Sequence, residues 1–100
     1  MTYIIVTFAV EREGDYYVSR CLELGTASFG TNEQEAVDNL ADATEAYLDA
    51  LGELGECHRV LARKGIRIFI DEPGIREMEC PTDRDRVIRP AVFPLQTVVA

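Results

Sequence analysis

Apolar residues recur at every second position near the start of the chain. Ile4, Val6, Phe8 and Val10 form one wholly apolar set, and Tyr3, Ile5, Thr7 and Ala9 form a mixed one. A period of two predicts a strand over residues 3–10 with one face in a core. The polar run 11–15 carries Gly14, a turn residue. Residues 16–22 read as a second strand, so the two make a hairpin. Gly25 interrupts the pattern, and residues 26–29 read as a short third strand.

The period then lengthens. Val37, Leu40, Ala41, Thr44, Tyr47, Leu48 and Leu51 fall in one stripe about 120° wide when wound at about 100° per residue. This predicts an amphipathic helix over residues 31–51 whose apolar stripe covers the sheet. Thr31 and Gln34 have the spacing of a capping box, and Glu33 and Glu35 sit in the first turn, where the helix dipole favours acids. Gly52 and Gly55 predict a break. Residues 56–64 read as a shorter helix ended by Gly65. Ile66, Ile68 and Ile70 alternate with Arg67 and Phe69 and predict a fourth strand. The order β-β-β-α-(α)-β implies an α+β fold: a mainly antiparallel sheet with one principal helix packed on one face.

From Asp71 the character changes. Pro81, Pro90 and Pro94 punctuate the chain, residues 75–80 are strand-like, and Val87-Ile88 and Val98-Val99 are apolar without a clear period. The sequence thus divides into a domain over residues 1–70 and an irregular C-terminal extension over residues 71–100. The extension is expected to contribute an added strand, or to wrap its own domain or a partner's sheet edge.

Composition supports a single folded domain: 100 residues, 47% hydrophobic and 28% charged. The net charge of −8 argues against direct nucleic-acid binding, because phosphates would be repelled. It suits solubility or a basic partner. Without a signal-like start or a membrane-length apolar run, the expected setting is cytoplasmic, with no membrane contact. Cys21, Cys57 and Cys80 are odd in number and widely spaced, which fits reduced thiols better than a disulfide framework.

Charge is segregated along the chain. Residues 31–56 hold Glu33, Glu35, Asp38, Asp42, Glu45, Asp49, Glu53 and Glu56 and no base. Residues 57–70 hold Arg59, Arg63, Lys64 and Arg67 and no acid. Asp38, Asp42, Glu45 and Asp49 share one helical stripe. The ordinary reading of such a stripe is a solvated outer face, partly neutralised by the basic segment folding back. The functional reading is a docking surface for a basic protein. Asn39, Ala43, Ala46 and Ala50 form a third stripe. Alanine there serves helix propensity, and small residues at that spacing also permit close approach of a second copy.

Catalytic patterns are weak. Cys57 and His58 are adjacent, so on a helix they point about 100° apart, and no third group supports a nucleophile or metal reading. The glycines make no phosphate loop. The first strand carries no carboxylate for two-metal nuclease chemistry. The expectation is a non-catalytic chain without cofactor or metal.

Residues 14–25 read Gly-Asp-Tyr-Tyr-Val-Ser-Arg-Cys-Leu-Glu-Leu-Gly. Gly30-Thr31 follows, then Glu35-Ala36 and Asn39-Leu40. This ordered set resembles the HicB-like antitoxin domain, in which a Gly-x-Tyr-Val-Ala strand enters a bend and a Gly-Asp/Glu-Thr cap opens a helix with Glu-Ala and Asn-Leu. The match spans about residues 3–70. Leu22 and Thr26 depart from the proline and glycine frequent there, and Phe29-Gly30 replaces a polar-Gly pair. The resemblance implies a partial RNase H-like fold without the ancestral nuclease carboxylates. It also implies an antitoxin that neutralises a small basic HicA-type ribonuclease toxin within a type II toxin-antitoxin system. Many such proteins carry a C-terminal DNA-binding domain, which residues 71–100 do not resemble. The expected function is toxin neutralisation by protein binding as a homo-oligomer, dimer or tetramer. The alternatives are an orphan oligomeric interaction module and, further off, a residual ribonuclease.

Overall fold

A computed structural model describes residues 2–70 and 86–95. In chain order the elements are β1 (Thr2–Glu13), β2 (Tyr16–Cys21), β3 (Ala27–Gly30), α1 (Glu33–Glu53), α2 (Cys57–Arg63), β4 (Ile68–Phe69) and β5 (Arg86–Leu95). The architecture is α+β: an antiparallel sheet with helices packed on one face. The strand-like stretch 75–80, Cys80 and the pair Val98-Val99 lie outside the described residues.

β1 organises the sheet. Its residues Phe8–Glu13 pair with β2, Tyr3–Ile4 pair with β4, and Thr2–Glu11 pair with β5. A strand has two edges, so β5 takes one whole edge while β2 and β4 share the other end to end. Where β2 leaves that edge, the Glu23 carboxylate accepts from the Thr7 backbone N–H (2.8 Å) and from its hydroxyl (3.0 Å). A side chain thus satisfies a ladder donor that has no strand opposite. The β1–β2 hairpin closes through a two-residue turn in which Gly14 has φ 61° at the first central position, a conformation that glycine adopts without a Cβ clash.

The even positions of β1 do build the core, as their alternation predicts. Ile4, Val6 and Phe8 cluster with Cys21, Leu24, Leu40, Leu48, Leu61, Ile66, Phe93 and Leu95. α1 buries Ala36, Leu40, Thr44 and Leu48 at a four-residue spacing, with Val37, Ala41 and Tyr47 packed alongside. Ala36 was absent from the apolar stripe read from sequence. It lies tight against the end of β3: a Cβ on Gly30 would stand 2.5 Å from the Ala36 nitrogen. Beside it, the buried Ser19 hydroxyl donates to the Ala36 carbonyl (2.8 Å). The buried hydroxyl of the helix itself, Thr44, is satisfied by Thr26 Oγ1 at 2.9 Å.

Local expectations shift by small amounts. The cap of α1 is Asn32, not Thr31: Asn32 Oδ1 accepts from the Glu35 N–H at 2.8 Å. The Thr31 N–H and hydroxyl donate instead to the Glu35 carboxylate, at 3.2 and 3.1 Å. Gln34 has turned away to donate to Asp38 (2.9 Å). Asn is at least as good a cap as Thr, and the Glu35 carboxylate reaches back past the cap residue to Thr31. α1 continues through Gly52 to Glu53, and the reversal falls at Gly55, with φ 69°. α2 ends before Gly65 as expected. The fourth strand is only two residues long.

The largest difference concerns the segment read as irregular. Residues 86–95 form a ten-residue strand of the same sheet and place Phe93 and Leu95 in the core. Pro90 and Pro94 stand opposite Thr7 and Tyr3. Thr7 turns both its backbone groups toward the β2 side, since its N–H donates to Glu23 and its carbonyl accepts from Leu22. In this register, therefore, the positions of β5 that bond β1 are 87, 89, 91, 93 and 95. Both prolines fall at outward-facing positions, where no ladder N–H is needed.

Candidate functional site

α1 presents three lines of side chains, as its sequence predicts. The sheet-facing line is buried. Asp38, Asp42, Glu45 and Asp49 are all exposed. Successive acids three and four residues apart lie on one side of the helix, so the stripe runs most of its length. None of the four forms an ion pair among the described residues. Arg59 pairs with Glu56 at 3.5 Å, Arg86 with Glu11 at 3.0 Å, and Arg89 with Glu33. Arg67 lies over the Phe69 ring, 5.4 Å from its centroid. Arg59 and Arg67 of the basic segment therefore engage their own neighbours, and no cation of 57–70 forms an ion pair with the stripe among the described residues.

The small-residue line is placed differently at its two ends. Ala46 and Ala50 are exposed and Ala43 is half-buried. Asn39 donates from Nδ2 to the Phe29 carbonyl (2.9 Å), which ties α1 to β3. That carbonyl faces away from β2 on the outer edge of β3, so Asn39 removes one acceptor from an otherwise open strand edge.

Two apolar surfaces were not legible in the sequence. The first is a groove of about 440 Å³ between the C-terminal half of α1 and β5. Leu48 lines it from the helix, and Val92, Phe93, Pro94 and Leu95 line it from the strand. Glu45 and Asp49 stand on its helical side. A smaller cleft sharing Leu48, Asp49, Pro94 and Leu95 continues it toward Glu53 and Cys57. The groove exists because β5 completes the sheet and so brings residues 92–95 beside the C-terminal half of α1.

The second is the sheet face opposite the helices. Tyr16 and Phe29 are 54% and 63% exposed there and meet edge to face, with ring centroids 6.2 Å apart. They border a shallow depression with Val18 and Ala27. The odd positions of β1 and the even positions of β2 and β5 share this face. It is therefore apolar along much of its width, and no helix among the described residues covers it.

Among the described residues, no group of three or more His, Cys, Asp or Glu side chains is placed to hold a metal ion. Cys57 is half-buried and His58 exposed at the start of α2. Burial pushes the Cys57 thiol up from its ordinary pKa, opposite to what an activated nucleophile requires. Burial, reinforced by the Glu23 charge, raises Cys21 too, against the opposing hydrogen bonds from Leu24, Glu23 and Thr26. No described helix is long and apolar enough to cross a membrane.

Compared with protein-family models, curated proteins and solved structures, the chain gives no significant match.

Proposed function

We propose that this chain is a protein-binding module that recognises a basic partner through the acidic side of α1, and acts as a HicB-like antitoxin against a small basic ribonuclease. The observation that carries the reading is the stripe Asp38, Asp42, Glu45 and Asp49: exposed, free of ion pairs among the described residues, and held on a rigid two-layer scaffold. A basic RNA-binding surface is complementary to it, and covering that surface would block access of RNA. Like charges at this spacing cost the isolated helix about 0.2–0.5 kcal/mol per pair, a cost that a cationic partner relieves. The α+β topology and the Gly30-Thr31 entry into α1 are compatible with the HicB-like resemblance.

Capture on the tagged chain from native cytosol, followed by mass spectrometry, tests this reading. It expects a small basic protein that elutes as salt rises and whose RNA cleavage stops at stoichiometric antitoxin. A captured protein that is acidic, or whose activity is unaffected, contradicts it. A second reading, an oligomeric interaction module without a toxin, is favoured by the apolar outer sheet face around Tyr16 and Phe29. Monodisperse monomer in sedimentation at high concentration would remove that alternative.

A further inference from the structure

The geometry points to the groove between α1 and β5 as the seat of one amphipathic, basic helical segment of a partner protein, with an apolar side chain over Leu48 and cations against Glu45, Asp49 and Glu53. This inference rests on the acidic-surface reading above and adds to it the location and the shape of what binds. Two independent features select the occupant.

The first is charge complementarity around an apolar lining. Leu48 from the helix and Phe93 and Leu95 from the strand supply apolar surface on the two sides of the groove. Glu45 and Asp49 border it, and Glu53 continues the line along the adjoining cleft. These three carboxylates form no ion pair among the described residues. An occupant must therefore be apolar at its centre and cationic at its margin. A second copy of this chain is disfavoured by its net charge of −8.

The second feature is the character of the β5 edge. Strand addition needs a row of alternating donors and acceptors. The outward-facing positions of β5 include Pro90 and Pro94, which have no N–H to donate. An incoming strand would meet gaps at both. The groove thus selects a ligand that presents side chains, and an amphipathic helix laid along it does so at the spacing of its own turns.

A defined probe tests this: a short synthetic helical peptide with leucine and one tryptophan on one face and lysine on the other. The chain contains no tryptophan, so the fluorescence of the peptide alone reports its burial. Two matched variants of the full chain are compared, Asp49→Lys/Glu53→Lys and Asp38→Lys/Asp42→Lys. Each reverses two exposed charges four residues apart on α1, and only the first lies at the groove. The groove pair is expected to weaken binding at least about tenfold, and the distal pair no more than about threefold through long-range attraction. Replacing the peptide leucines with serine should also weaken binding about tenfold, because the apolar seat then stays empty.

Equal weakening by the two pairs overturns the groove while leaving the acidic surface in place. No effect of either pair overturns both. Indifference to the leucine-to-serine exchange overturns the apolar seat. Self-association of the wild-type chain that the groove pair alone dissolves assigns the groove to a second copy, and overturns the proposal.

Discussion

Phe93→Ala tests whether β5 is an integral part of this fold. The Phe93 side chain is nearly buried, at 9% exposure, and its ring lies 5.8 Å from Phe8 at a tilt of 50°. It stands opposite Ile4, which is fully buried. Removing a buried phenylalanine ring costs about 3–5 kcal/mol in transfer and cavity terms. Phe93 lies on an edge strand beside an open groove, where neighbours and water can relax into the space. The expected loss is therefore near the lower end, about 3 kcal/mol. Against a total stability of about 5–15 kcal/mol, that is a large fraction. Urea unfolding followed by circular dichroism measures it as a shift in midpoint. Pro94→Ala is the control, since Pro94 is exposed and faces outward; a change below about 1 kcal/mol is expected there. If Phe93→Ala shifted stability by less than about 1 kcal/mol at an unchanged denaturant slope, β5 would not be holding the core.

Four further outcomes follow from the helix entry and the thiols. Asn32→Ala removes the acceptor for the Glu35 N–H and should cost about 1 kcal/mol, whereas Gln34→Ala should cost little; comparable losses would restore the cap to Thr31. Gly30→Ala forces a methyl against the Ala36 backbone and should cost about 1–3 kcal/mol by chemical denaturation, while an unchanged midpoint would mean that α1 does not approach the sheet this closely. In a Cys80→Ser background, Cys57 should react with a thiol reagent before the buried Cys21 does, and the reverse order would contradict the packing. Because burial raises the folded pKa of both thiols, their contribution to stability is complete below the ordinary thiol range. It is lost as pH rises through the folded values, so the urea midpoint should fall on the alkaline side.

Much of this architecture is legible in the chain, for identifiable reasons. β1 carries a clean apolar alternation because one face meets the helix and the other does not. α1 shows its three stripes because sheet, solvent and β3 impose different demands around its circumference. β5 hides for the opposite reason. Val87, Ala91, Phe93 and Leu95 face the helix side while Ile88, Val92 and two prolines occupy the other, so both faces read as apolar and the period disappears. Proline is a strand breaker only where an N–H is required, and at the outward positions of an edge strand none is. The four acids of the stripe were visible as a pattern on one helix. The groove they border was not, since it joins α1 to a strand far away in sequence. The cap falls one residue later because Thr31 and Asn32 are both competent: Asn32 takes the Glu35 N–H while Thr31 bonds the Glu35 carboxylate.

The proposed function requires that the acidic side of α1 bind the basic partner. The most direct measurement is the affinity of the captured basic protein for the wild-type chain and for Asp38→Lys/Asp42→Lys/Glu45→Lys/Asp49→Lys, each titrated by calorimetry at low and moderate salt. The expected result is a loss of at least about a hundredfold at low salt, with the salt dependence flattened or reversed. Unchanged affinity with an unchanged salt slope would reduce the stripe to a solvated face and place recognition elsewhere on the molecule.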